Sequence, residues 1–175
     1  VRISLTGPES AGKSTLAAQL AAHYATEFVS EYARHYLETH GPRYTLPDLE
    51  AIAYGQLAAE KAAASRAPDL LFCDTDLLVI KIWAENAFGT CPGWVLAELA
   101  RPRYALTLLL APDLPWTPDP LREHPNPAQR WQFYELYRAE LVQRGWPFAE
   151  ISGPPAERFA QAQAAVDGLR TSVWY

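Results

Sequence analysis

The sequence is short of cysteine, of basic surplus and of long apolar runs. Only two cysteines occur in 175 residues, Cys73 and Cys91. That excludes a disulfide framework or a cysteine-rich zinc site. Cys73 lies in an apolar run, so a buried free thiol is expected. The four histidines, at 23, 35, 40 and 124, show no metal-ligand spacing and read as surface or packing residues. Acidic residues outnumber basic ones by 20 to 15, giving a net charge of −5. Non-specific nucleic-acid binding needs a basic surface, so no nucleic-acid partner is expected. A cationic or neutral small substrate suits the charge. No run of about 18 apolar residues and no charged-then-apolar leader is present. The expectation is a cytoplasmic protein with no membrane partner. The length suits one domain, 1–175, with a real core. It leaves the oligomeric state open.

What is present starts at once. "GPESAGKST", Gly7 to Thr15, fits G-x-x-x-x-G-K-[ST]. The β-prone run "VRISLT" precedes it, and Leu16, Leu20 and Tyr24 mark one helical face after it. Strand, glycine loop and helix form the setting that phosphate binding requires. Gly7 and Gly12 permit the turn, and the N–H groups of Glu9, Ser10, Ala11, Gly12, Lys13 and Ser14 would cradle phosphate oxygens. Lys13 would bridge the β- and γ-phosphates, and the Ser14 hydroxyl would hold Mg²⁺. Thr15 completes the loop.

Further along, strands alternate with helices. Strands are expected near 1–6, 27–30, 69–74, 104–110 and 147–152. Helices are expected over 14–25, 31–41, 45–67, 76–89, 128–145 and 155–170, and the tail from Thr171 is left unassigned. Thr45 with Asp48 reads as a capping box. Between 111 and 130, six prolines exclude regular structure and mark a lid at about 112–127. The pattern predicts an α/β, three-layer P-loop NTPase fold with a five-stranded parallel sheet, nucleoside- or nucleotide-kinase-like, with a Pro-rich lid. In such folds the strand tips share one rim, so Gly7, Glu31, Asp74, Pro112 and Ser152 should converge.

Two ends are open to the terminal phosphoryl group: water or a bound acceptor. A GTPase switch would need N-K-x-D, which is absent. An AAA-type machine needs more chain and arginines from neighbouring subunits. The lid carries Arg122, with Arg130 at its exit, either as guanidiniums for phosphoryl transfer or as solvated surface charges. Asp74 follows "LLFC" and is placed to hold the metal's water shell, or else to cap a helix. Glu31 follows "FVS" and faces the acceptor as a base, or else stabilises a helix N-terminus. Asp76 reads equally as a helix cap and as a partner for a substrate hydroxyl.

"GPESAGKSTL", "FVSEYAR", "IAYGQ", "FCDTDLL", "IWAE", "PDLPWTPDPLR" and "ISG" followed by "ERF" together resemble the ribosylnicotinamide kinase domain of the bacterial NadR-type proteins of NAD metabolism. The resemblance runs from about residue 1 to 168. It implies ATP- and Mg²⁺-dependent phosphorylation of nicotinamide riboside at the ribose 5'-hydroxyl, giving nicotinamide mononucleotide. The acid at Glu31, with Ala33 and Arg34 after it, also resembles deoxynucleoside kinases and implies the catalytic base. Ser152, Gly153 and Arg158 are implied at the adenine. A pyridinium acceptor calls for aromatic faces and carboxylates. Tyr32, Tyr36, Tyr54, Trp83 and Trp116 are the candidate faces; Glu31, Asp74 and Asp76 supply the charge. Two other readings stand beside this one: a kinase for another nucleoside or a nucleoside monophosphate, which Arg34 and Arg43 would serve, and a non-catalytic ATP-sensing module.

Overall fold

The computed structural model describes residues 1–66 and 68–173. The elements run β1 (Arg2–Thr6), α1 (Lys13–His23), β2 (Glu27–Val29), α2 (Tyr32–His40), α3 (Leu46–Ala64), β3 (Leu71–Asp74), α4 (Leu77–Phe88), α5 (Gly93–Leu99), β4 (Leu106–Leu110), α6 (Pro127–Arg144), β5 (Phe148–Ile151) and α7 (Pro155–Val173). All five strands are parallel, in the order β2-β3-β1-β4-β5. The central β1 pairs with β3 on one side and β4 on the other, so the chain reverses direction across it. Ligands bind beyond the carboxyl ends of the strands at such a reversal.

Strand alternation sorts the side chains into two layers. Ile3 and Leu5 of β1, with Leu106, Leu108 and Leu110 of β4, face α1 and α7 and meet Leu16, Leu20 and Val166. Leu109 faces the other way, into the larger core of α2 to α6 with Leu49, Ile52, Leu78 and Phe133. On that second face β1 presents Ser4 and Thr6 instead of apolar residues, and Ser4 Oγ lies 2.9 Å from Thr107 Oγ1. Cys73 is buried as a free thiol, as its apolar run predicts.

Local chemistry sets the helix ends. Asp48 Oδ2 accepts from Thr45 N–H at 2.7 Å, completing the capping box of α3. Asn126 Oδ1 accepts from Ala128 N–H at 2.9 Å and starts α6 at Pro127. No regular element interrupts the chain between β4 and α6, as the proline density requires. α5 lies in a stretch, 90–103, to which the sequence assigns no element. Pro92 is its N-cap, and Val95 and Leu99, one turn apart, are buried. α7 continues to Val173, beyond the expected end at 170. Ala67 at the end of the expected 45–67 helix, and Trp174 and Tyr175 of the tail, lie outside the described residues. Among the described residues no helix is long and apolar enough to cross a membrane.

The inner stripe of α3 is less apolar than its leucines suggest. Gln56 and Glu60 are buried with Leu49, Ile52 and Ala53. Glu60 Oε1 accepts from Tyr104 O–H at 2.8 Å. Burial, reinforced by nearby Asp76, pushes the Glu60 carboxyl up to about 7, against the opposing effect of the Tyr104 bond. The folded chain therefore keeps a proton that the unfolded chain releases near its ordinary value of 4.5. Between those values the native state binds more protons, so stability falls as pH rises. Thermal unfolding followed from pH 5 to 8 should show that fall. Glu60→Gln, which keeps the acceptor for Tyr104, should flatten the slope and leave the variant more stable than wild type at pH 8 by about 1–3 kcal/mol. A second variant probes the sheet's rim. Gly7→Ala would set a Cβ 2.5 Å from the Leu110 carbonyl oxygen at φ 136°. It should lower the melting temperature by several degrees, through a cost of about 2–3 kcal/mol.

Candidate active site

The loop Gly7–Thr15 leaves the carboxyl end of β1 where β4 runs alongside. Gly7 adopts φ 136° and Gly12, the N-cap of α1, φ 83°. Neither conformation suits a residue with a side chain. Ser10 is left-handed too, at φ 56°. All five carbonyls from Gly7 to Ala11 accept from cations. Lys13 Nζ donates to the carbonyls of Gly7 and Pro8, both at 2.9 Å. Arg130 donates to those of Glu9 and Ser10, both at 3.2 Å. Arg158 Nη1 donates to that of Ala11 at 2.9 Å. The carbonyls are held by these cations, and the amide side of the loop is left for the cleft that it lines. That is the anion-binding polarity.

The cleft is a cavity of about 200 Å³. The whole loop, Gly7, Glu9, Ser10, Ala11, Gly12, Lys13, Ser14 and Thr15, lines one end. Glu31 and Arg34 at the start of α2, Trp83 of α4 and Arg122, from three segments far apart in sequence, also line the cavity. Glu31 stands at the N-cap of α2 yet makes no side-chain cap bond, so its carboxylate is not consumed by the helix. Arg34 is paired with Asp119 at 2.9 Å and Glu38 at 3.6 Å.

Asp74 ends β3 and is 1% exposed. Burial first, then the neighbouring Glu31 carboxylate, push it up to about 6, while Lys13 and the Ser14 hydroxyl oppose the shift. Its Oδ1 has no hydrogen-bond partner among the described residues. A buried, unpaired carboxylate oxygen beside a serine hydroxyl and a lysine fits a hydrated divalent cation. Thr75, next in sequence, has φ 73°. A β-branched residue in that region is strained, and strain of this kind gathers where side chains must be aimed.

Several residues expected at the site do not line the cavity. Asp76 caps α4: its Oδ1 accepts from Leu78 N–H at 3.0 Å and Val79 N–H at 3.3 Å. Of the two readings left open for it, the structure exhibits the cap. Tyr32 is turned onto α3, where its ring abuts Gly55. Tyr54 is 58% exposed and stacks on Trp94 at 4.0 Å. Trp116 has the Arg122 and Arg130 guanidiniums 5.8 and 5.5 Å from its ring centroid, so its face is taken by the chain's own cations. Arg130 is buried against the loop carbonyls. Arg158, 3% exposed, ties Ala11 to the carbonyls of Ala111 and Gly153 and pairs with Asp113. Ser152 and Gly153 lie beyond β5, held by Gln161 and Asp113.

The lid is closed onto the loop. Glu9 Oε2 accepts from the N–H groups of Glu123 and His124, both at 3.0 Å. Ser10 Oγ accepts from Thr117 N–H at 3.1 Å. Tyr44 donates to Glu123 at 2.7 Å. Glu9 and Ser10 thus act as lid anchors as well as loop residues. The apolar wall opposite the loop was not foreseen: Leu37, Val79, Ile82, Phe133 and Tyr137, with Asn86 and His124 among them. Val79, Trp83 and Asn86 recur at helical spacing, a face that the pattern of α4 already carried.

Comparison with known proteins agrees with this geometry. The family described as "AAA domain" matches residues 2–158. The trifunctional NAD biosynthesis/regulator proteins NadR of Escherichia coli strain K12 and of Salmonella typhimurium strain LT2 are each 29% identical over 153 residues, covering 85% of this chain. This chain spans only 37% of the length of those curated relatives. A NadR crystal structure in complex with NR superposes with a TM-score of 0.74 at 22% identity, over 96% of this chain and 49% of that one. Deoxyadenosine kinase from M. mycoides matches with a TM-score of 0.63 at 13% identity, over 98% of this chain and all of that one. The family's description names AAA proteins, the class that sequence length argued against as a machine. Here the arginines at the loop, Arg122, Arg130 and Arg158, come from the same chain. The chain belongs to the AAA domain family, with the P-loop kinase fold and a kinship to NadR.

Proposed function

We propose that this chain is a single P-loop kinase domain, residues 1–175 with a lid at about 112–127, that transfers the γ-phosphoryl group of ATP to the ribose 5'-hydroxyl of nicotinamide riboside. The product is nicotinamide mononucleotide, in NAD salvage. One observation carries the reading: the Glu31 carboxylate shares a single cavity with Lys13, Arg122 and the loop amides. A base, a phosphate cradle and a guanidinium around one space suit transfer to a bound hydroxyl better than a switch. The 29% identity to NadR, and the NadR structures with NR and with NAD and AMP-PNP, support the choice of acceptor.

Each residue has a distinct task. The loop amides and Lys13 hold the β- and γ-phosphates. The Ser14 hydroxyl and Asp74 would hold Mg²⁺, which when bound would supply charge neutralisation there. Glu31 accepts the proton of the 5'-hydroxyl. Arg122 faces the transferring group from the lid. Trp83 offers the aromatic face to the pyridinium ring, with the Glu31 carboxylate in the same cavity. Arg34 is already matched by Asp119 and Glu38. Among the described residues that line the cavity beside Glu31, the one cation is thus already paired, and Arg43 is not among them, which favours a nucleoside over a nucleoside monophosphate. Free thiols at Cys73 and Cys91 and dependence on ATP agree with a cytoplasmic setting.

ADP release measured across a panel of nucleosides and monophosphates tests the reading, and turnover should be highest with nicotinamide riboside. Preference for another nucleoside would redirect the assignment; ATP binding with no turnover would make the chain a sensor. Lys13→Ala should lower turnover at least about 10²-fold. Glu31→Gln should lower kcat by about 10²–10⁴ with ATP affinity little changed. The pH dependence has a definite sign. A carboxyl raised to about 6 takes up a proton as pH falls through that value, and the neutral acid no longer attracts a hydrated Mg²⁺. Turnover at limiting Mg²⁺ should therefore fall below pH 6, and raising Mg²⁺ should move that acid limb to lower pH.

A further inference from the structure

The segment "IAYGQ" in α3 is outside the cavity lining, yet two of its residues meet the residue after Glu31. Gln56 is 2% exposed, and its Oε1 accepts from Tyr32 N–H at 2.9 Å. That N–H belongs to the first residue of α2, one of the groups that no helix can satisfy internally. A side chain at the N-cap ordinarily takes the N–H of the second or third helical residue, so this first N–H needs a partner from elsewhere. Here the N-cap is Glu31, and it makes no cap bond. α3 therefore satisfies the first N–H of α2 from outside the helix, beside a Glu31 carboxylate that makes no cap bond.

Gly55 makes the second contact. Glycine is among the poorest residues for a helix interior, and α3 is otherwise rich in alanine and leucine. Space explains it. A Cβ at Gly55 would fall on the Tyr32 ring atoms Cε1, Cζ and Cδ1. The ring lies flat on the only bare patch of backbone in that turn, and the N–H beside it reaches Gln56. Ring and amide of one residue are fixed together, immediately next to Glu31.

We infer that Gly55 and Gln56 form a lock on Tyr32 that positions Glu31 toward the cavity, making Gln56 a positioning residue for the transfer. The lock acts through the backbone of α2 and touches no substrate. This rests on the proposed role of Glu31 as base. If Gln56 were an ordinary packing residue, its loss would damage stability and spread evenly over all steps. A positioning residue instead loses its effect once the group that it aims is gone.

The test is a double-mutant cycle on the full chain, with nicotinamide riboside and ATP, reading kcat, KM for both substrates, and ATP affinity by calorimetry. Gln56→Leu should lower kcat roughly 10- to 100-fold, with ATP affinity within about twofold of wild type. In the Glu31→Gln background the same change should alter kcat by less than about twofold. Gly55→Ala should cause a comparable loss, and adding Tyr32→Ala, which clears the space, should recover part of it. That pair keeps the idea open to test should Gln56→Leu fail to fold. Equal losses from Gln56→Leu with and without Glu31 would overturn the lock and leave the base assignment standing. A Glu31→Gln enzyme with wild-type kcat would remove the base, and the lock with it.

Discussion

Five consecutive carbonyls, Gly7 to Ala11, accept hydrogen bonds from three cationic side chains, and the rest of the site depends on that arrangement. A loop of left-handed and glycine residues has no ladder to fix its orientation. Its carbonyls and amides point opposite ways, so controlling one set controls the other. Two of the cations reach the loop from distant elements: Arg130 from α6 and Arg158 from α7. Each is buried, and a guanidinium taken from water must be well paired. Arg158 meets that demand with three carbonyls and Asp113. The loop is thereby tied to the segments that follow β4 and β5, and the strand tips become one rigid rim. The contact between Gly7 and Leu110 has the same effect at shorter range, since it lets no side chain separate β1 from β4.

What the sequence made legible follows from how local each signal is. The strand–loop–helix unit, the capping box of α3, the buried strands and the proline-rich lid all depend on residues within a few positions of one another. Five parallel strands were counted correctly on that basis, and the chain's reversal across β1 is what turns their tips into a shared rim. α5 was hidden because Pro92 and Gly93 signal a break and equally a helix start. The aromatic residues were the least legible. Trp83, Tyr32, Tyr54 and Trp116 have equivalent chemistry, yet only Trp83 reaches the cavity. Which ring faces a ligand is decided by rotation of α2, α3 and the lid, and that is a tertiary property. The arginines show the same limit. Arg130's place at the lid exit suggested the phosphoryl group and the family resemblance implied Arg158 at the adenine, whereas both are engaged by loop carbonyls that no sequence pattern displays.

The two carboxylates of the site differ for reasons that chemistry needs. Asp74 is enclosed at the end of β3 and raised by burial, whereas Glu31 sits at a helix start, part-exposed on the cavity wall. Like charges at close range favour one proton between them unless a cation intervenes. Lys13 and the Ser14 hydroxyl already oppose the rise at Asp74. A divalent ion there would add to that opposition.

The lid turns these static features into an order of events. Its anchors, Glu9 and Ser10, belong to the phosphate loop, and Arg34 and Tyr44 belong to the acceptor side. Closure thus joins the two halves of the cleft through one segment. Six prolines limit the conformations that this segment gives up on closing, so ordering it costs less entropy than a flexible loop would. The guanidinium that faces the cavity, Arg122, arrives only with the lid. In the kinase proposed above, a closed lid would supply the charge that transfer requires and shut out water in the same step, whereas an open one would leave the phosphoryl group exposed to water but lacking its stabilising cation. On that reading, selection of a bound hydroxyl over solvent would need no residue that recognises water, because hydrolysis would be slow whenever water has free access.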